Sequence, residues 1–129
     1  MPFDQLDFIY LPSGDVAGDV AHFVDCLGAT LVFAIEAFGT RVAMVRPGGG
    51  PDLLLAGHLH GERPVLVYRV ADLDGAAAGL RSRGWDPGPS FGIPHGPCCS
   101  FTTPGGHRLA IYEPTRAEAA GHLEGRRDF

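Results

Sequence analysis

The chain has 129 residues, 45% of them apolar and 19% charged, with a formal net charge of −5. That is enough apolar material for one core, and too little charge for a disordered chain. All ten basic residues are arginine and form no basic stripe, which speaks against a nucleic-acid partner.

The opening stretch, MPFDQLDF, lacks the charged-then-apolar layout of a secretion signal, and no apolar run approaches the ~20 residues of a membrane span. A cytoplasmic protein with no membrane partner is the expectation. Three cysteines, Cys26, Cys98 and Cys99, are odd in number and two are adjacent, so they do not read as a disulfide framework.

In chain order, Phe8–Leu11 reads as a strand broken by Pro12-Ser13-Gly14. A helix follows from an Asp15 N-cap to a Gly28 C-cap, with Val20, Phe23, Val24 and Leu27 spaced as one apolar stripe. Thr30–Ile35, Thr40–Arg46 and Asp52–Ala56 read as three more strands, the last two separated by the loop Pro47–Pro51. Gly57–Pro64 is a junction, after which the pattern repeats. Val65–Val70 is a strand, and the helix from Asp72 to Gly84 carries Leu73, Ala76, Ala77 and Leu80 as its stripe. Ser90–Ile93, Pro97–Thr102 and His107–Tyr112 complete the second set, with Thr103–Gly106 as the last turn. Thr115 and Glu118 form a capping-box pattern for a small helix over Thr115–Leu123, and Glu124–Phe129 reads as a polar tail.

The order βαβββ therefore occurs twice, an internal repeat. The expected fold class is α+β, with two βαβββ modules forming a curved, half-open barrel around a central cleft. One domain spans residues 1–129, with module one over about 5–60, module two over about 64–114 and a C-terminal tail over 115–129.

With this pattern the chain resembles the vicinal oxygen chelate superfamily, which groups glyoxalases, bleomycin-resistance proteins and extradiol dioxygenases. The residues that carry the resemblance are the run Val65–Asp74, the helix ending Leu80-Arg81-Ser82-Arg83-Gly84, and the turn Thr103-Pro104-Gly105-Gly106-His107 before the last strand. The resemblance implies a divalent ion held by four side chains, from the first and last strands of each module. Counting seven residues back from Asp15 and Asp72 gives Phe8 and Val65, and three residues past Pro51 and His107 gives Leu54 and Ala110. None of these side chains has a lone pair to offer a metal, so no metal or other cofactor is expected.

Two other clusters carry ligating or reactive atoms. His58, His60 and Glu62 share one parity of an extended segment, as metal ligands do and as surface histidines also do. Cys98 and Cys99 follow His95, where a low-pKa thiol would act as a nucleophile, although adjacent cysteines point to opposite sides of a strand. Either Cys99 and Phe101 or Cys98 and Ser100 face the cleft.

The resemblance and the apolar cleft centre point to a small-molecule binding protein of the bleomycin-resistance type. Such a protein would hold an aromatic or apolar antibiotic or other natural product without chemistry, as a homodimer. Its candidate ligand-binding residues are Phe8, Tyr10, Leu54, Val65, Trp85, Phe91, His95, Cys99, Phe101, Ala110, Tyr112 and Glu113. The alternatives are a metal-dependent lyase, isomerase or dioxygenase of the same superfamily, and a non-catalytic regulatory or structural member.

Overall fold

The computed structural model describes residues 3–85, 90–93, 95–115 and 121–129. Its strands are β1 (Gln5–Pro12), β2 (Thr30–Ala37), β3 (Thr40–Arg46), β4 (Asp52–Ala56), β5 (Val65–Arg69), β6 (Ser90–Ile93), β7 (Gly96–Thr102) and β8 (Arg108–Tyr112). The helices are α1 (Val16–Ala21), continued by a π-helical segment over His22–Cys26, and α2 (Leu73–Ser82). All eight predicted strands are present. Of the expected helix over Thr115–Leu123, residues 116–120 lie outside the described residues, and 121–123 are helical.

The eight strands form one open sheet in the order β2-β3-β4-β1-β5-β8-β7-β6. The order is its own mirror image in the repeat, because β1 pairs parallel with β4 just as β5 pairs parallel with β8. The two halves join within one chain along the antiparallel β1–β5 seam. This is the α+β arrangement of two βαβββ modules expected from the doubled pattern.

Strand alternation divides the side chains between the two faces. On the convex face, α1 covers Ala34, Ala43, Val45 and Leu55, with its own Val16 and Val20 buried against them. There α2 covers Val70, Cys99 and Ile111, with Leu73 buried and Ala76 and Leu80 packed alongside. The concave face carries a third cluster around Phe8, Phe33, Met44, Leu54, Val67, Cys98, Ala110 and Tyr112.

Leu27 departs from the expected apolar stripe and is 57% exposed. The cause is the π-helical segment, in which the Leu27 N–H donates to the His22 carbonyl five residues back. The wider turn rotates every later side chain out of the 3.6-residue stripe.

The segment read as a polar tail also has a structural role. Residues 125–128 run along the edge of β2, with Gly125 N–H donating to Val32 O at 2.8 Å, Ala34 N–H to Arg126 O at 2.9 Å and Asp128 N–H to Ala34 O at 2.7 Å. Phe129 packs into the α1 cluster, and Arg41 stacks on its ring at 4.5 Å. The tail thereby satisfies backbone groups that an edge strand leaves open to other chains.

Candidate active site

The concave face is a trough whose two ends differ in chemistry, and strand alternation builds both. Tyr10, Val42, Leu54, Val67 and Ala110 line a cavity of about 640 Å³. Two residues along the same strands, about 6.6 Å away, Phe8, Met44, Asp52, Arg69 and Tyr112 line a second pocket of about 320 Å³. Phe33 borders both. One end is apolar and roomy, and the other is small and polar.

The four positions at which the resemblance implies metal ligands do come together in this trough. Phe8, Leu54 and Ala110 are buried in the concave cluster, and Val65 packs against it. Hydrocarbon side chains do not fit a divalent ion. Among the described residues, no group of three His, Cys, Asp or Glu is placed to hold a metal. His58 lines the apolar cavity, and the His60 carbonyl accepts from Arg108 Nη1 at 2.6 Å.

Polar chemistry in the trough centres on Asp7. The pairing register of β1 slips between Leu6 and Phe8, and this bulge brings Asp7 onto the same face as Phe8. Its carboxylate accepts from Arg69 Nε at 2.8 Å and Nη2 at 3.1 Å, from Gln5 Nε2 at 2.7 Å, and from the Tyr112 hydroxyl. Burial pushes the Asp7 carboxyl up, but the bonds from Arg69 and Tyr112 and the guanidinium charge outweigh it, so the group stays below its usual range. Tyr112 moves the other way: burial, then its bond to the Asp7 anion, holds its proton on.

His95 faces this network. Its ring lies 4.7 Å from that of Phe8 and 6.4 Å, edge-on, from that of Tyr112. Burial lowers its pKa, an effect only partly offset by the Asp7 charge, so the imidazole is neutral at neutral pH. Its Nδ1 is buried and has no hydrogen-bond partner among the described residues. An orphaned buried ring nitrogen costs free energy, and His95 as a whole lines the polar pocket.

Gly96 is what places His95 there. A Cβ on Gly96 would lie 1.9 Å from the Glu113 carbonyl oxygen, so only glycine lets the start of β7 approach so closely. The His95 carbonyl is tied down in turn by Thr115 N–H at 3.2 Å.

The sequence candidates divide between the two faces. Phe8, His95 and Tyr112 line the polar pocket. Tyr10, Leu54, Val65, Phe101 and Ala110 line the apolar cavity. Of the two cysteine parities left open by the sequence, Cys98 and Ser100 line the cavity, while Cys99 packs under α2 on the opposite face. The Cys98 thiol is pushed up to about 12 by burial and then by its neighbour Cys99, the opposite of what a nucleophilic thiol needs.

Trp85 is likewise on the α2 side, its ring edge-on to Phe101 at 4.5 Å. Glu113 accepts from the Leu73 N–H at 2.9 Å and so caps α2 from 40 residues away. Phe91 lies on β6, and its side chain is outside the described residues.

Sequence reasoning passed over Asp7, Arg69 and the Arg46–Asp52 ion pair, at 2.9 Å, that also lines the polar pocket. Arg69 was legible, because it shares the parity of Val65 and Val67. Asp7 was not, because strict alternation with Phe8 and Tyr10 assigns it to the other face and nothing local announces the bulge.

No known family profile matches the sequence, and no curated protein matches it. Solved structures do match. Methylmalonyl-CoA epimerase from Mycobacterium tuberculosis superposes with a TM-score of 0.73 at 23% identity, over 92% of this chain and 93% of that one. A hypothetical protein from Bacillus halodurans gives 0.72 at 14% identity, over 84% and 93%. A Streptomyces coelicolor methylmalonyl-CoA epimerase variant in complex with 2-nitronate-propionyl-CoA gives 0.68 at 18% identity, over 88% and 99%.

These likenesses bear out the expected α+β, glyoxalase-type fold. They also correct the expected function. The named neighbours in fold are methylmalonyl-CoA epimerases, not antibiotic-sequestering proteins, so the expected antibiotic-binding function finds no support among them. No helix among the described residues is long and apolar enough to cross a membrane.

Proposed function

We propose that this chain is an isomerase- or lyase-type enzyme that moves a proton on a carbon acid, a C–H next to a carbonyl. The observation that carries the reading is His95, a neutral imidazole that lines the polar pocket beside the Asp7–Arg69–Tyr112 network. A neutral imidazole in a partly dry pocket is a competent general base. Arg69 uses Nε and Nη2 on Asp7, and a guanidinium has five N–H donors, so others remain for a developing enolate oxygen. Asp7 fixes Arg69 in place. The 640 Å³ cavity receives the apolar body of the substrate, and its carbonyl-bearing head reaches the polar end.

In this scheme His95 takes the proton from carbon, and the electron pair passes into the enolate facing Arg69. Return of the proton from His95 to the same face regenerates the substrate; a proton from solvent on the opposite face gives the isomer, and expulsion of a leaving group from the adjacent carbon gives the lyase product, with the proton on His95 passing to solvent in both cases. The known substrate of the epimerases of this fold, an acyl thioester with an acidic α-carbon, is the first class to test. The apolar side chains of Phe8, Leu54, Val65 and Ala110 do not fit a divalent ion.

The test is solvent exchange in D2O, followed by NMR, on a panel of 2-substituted acyl thioesters and 2-substituted 3-oxo acids. Catalysed loss of the α-proton signal is expected, persisting after EDTA treatment and falling at least ~100-fold, the usual size of a general-base contribution, in His95→Asn. Below the folded-state pKa of His95, which lies under its ordinary value, the rate falls as the imidazole charges. Exchange at the buffer rate for every panel member, or a wild-type rate in His95→Asn, would refute the reading.

A further inference from the structure

The β2–β3 hairpin closes through Phe38 and Gly39, with Ala37 paired to Thr40. Both central residues have positive φ, 54° at Phe38 and 75° at Gly39. A two-residue loop of this kind normally carries Asn-Gly or Asp-Gly, and a bulky side chain at its first position is strained. The same residue is fully exposed, so Phe38 is unfavourable both for backbone conformation and for hydration.

Phe38 nevertheless lines the large cavity, together with Ala37, Thr40, His58 and Leu59 around the same opening. An aromatic ring that lines a cavity but keeps its whole surface in water has nothing yet to cover. We propose that Phe38 is a ligand-binding and specificity-determining residue, its ring packing onto the outer part of an apolar or aromatic ligand seated in the cavity. This rests on the cavity part of the function proposed above and not on the chemistry of His95. The ring reaches its natural environment only in the complex, where the area it buries against the ligand favours binding.

Binding of 1-anilinonaphthalene-8-sulfonate, followed by its fluorescence, together with thermal unfolding and gel filtration tests the assignment in wild type and three variants. In Phe38→Asn, whose new residue suits the turn, Kd is expected to rise about tenfold while Tm rises by about 3 °C or more. Phe38→Trp restores the affinity. Ser100→Trp, which puts a bulky ring on the cavity lining, abolishes the fluorescence in an otherwise folded protein.

An unchanged Kd in Phe38→Asn, with the signal lost in Ser100→Trp, would overturn the role of Phe38 and leave the cavity standing. A signal retained in Ser100→Trp would overturn the cavity as the ligand site, and the role of Phe38 with it. A smaller particle on gel filtration for Phe38→Asn at unchanged Kd would assign the ring to a contact between copies and overturn the proposal.

Discussion

Replacing Asp7 by asparagine removes one charge from the polar end of the trough and almost no volume. The Asp7 side chain is only 7% exposed, while that of Arg69 is 44% exposed. A fully buried pair loses about 3–5 kcal/mol when one partner is deleted. Here the stranded guanidinium regains water, which offsets part of that loss. What remains is mainly the charge-assisted character of the bonds from Arg69 and Tyr112, and an amide NH2 that must face one of these donors. Discounting for the exposure of Arg69 leaves a cost of about 2 kcal/mol.

For a chain of this length that corresponds to a Tm lower by about 6–10 °C, or a urea midpoint lower by about 1 M. The pH dependence has a definite sign. The folded-state pKa of Asp7 lies below its unfolded value, so its contribution is complete above the unfolded value of about 3.9 and fades as pH falls through the folded one. Urea unfolding of wild type and Asp7→Asn should show a gap that is constant from pH 7 to 8, where His95 is neutral in both proteins, and that narrows below pH 4. A gap under ~0.5 kcal/mol at pH 7, or one that does not narrow in acid, would refute the electrostatic reasoning.

Two further outcomes follow from the same geometry. Glu113→Ala should cost about 1 kcal/mol in urea unfolding because it strips the cap from Leu73 N–H, while Asp72→Ala, at an N-cap whose side chain makes no capping bond, should cost less than ~0.5 kcal/mol; the reverse order would refute the assignment of the cap. Iodoacetamide should add one label to the native protein, at exposed Cys26, and three in urea, because Cys98 and Cys99 are buried and the Cys98 thiol is held near 12; a second native adduct by mass spectrometry would contradict this.

Much of this protein is written in local pattern. The doubled strand–helix order, the positions of all eight strands and the Asp15 cap, whose carboxylate accepts from Gly18 N–H at 3.0 Å, follow from periodicity and capping, which depend on neighbours in sequence. The apolar floor of the cleft was legible for the same reason. Counting along regular strands stays in register, and Phe8, Leu54, Val65 and Ala110 do meet in one trough.

The polar end was decided only by tertiary structure. Asp7 enters the trough through a bulge set by pairing with β5, and His95 sits where it does because Gly96 can press against Glu113. Glu113 caps a helix 40 residues upstream. Each of these depends on a partner distant in the chain, and a side chain's direction at an irregularity is set by that partner. Period two thus determined the faces of the sheet, and where the period breaks, the fold determined which side chains could do chemistry.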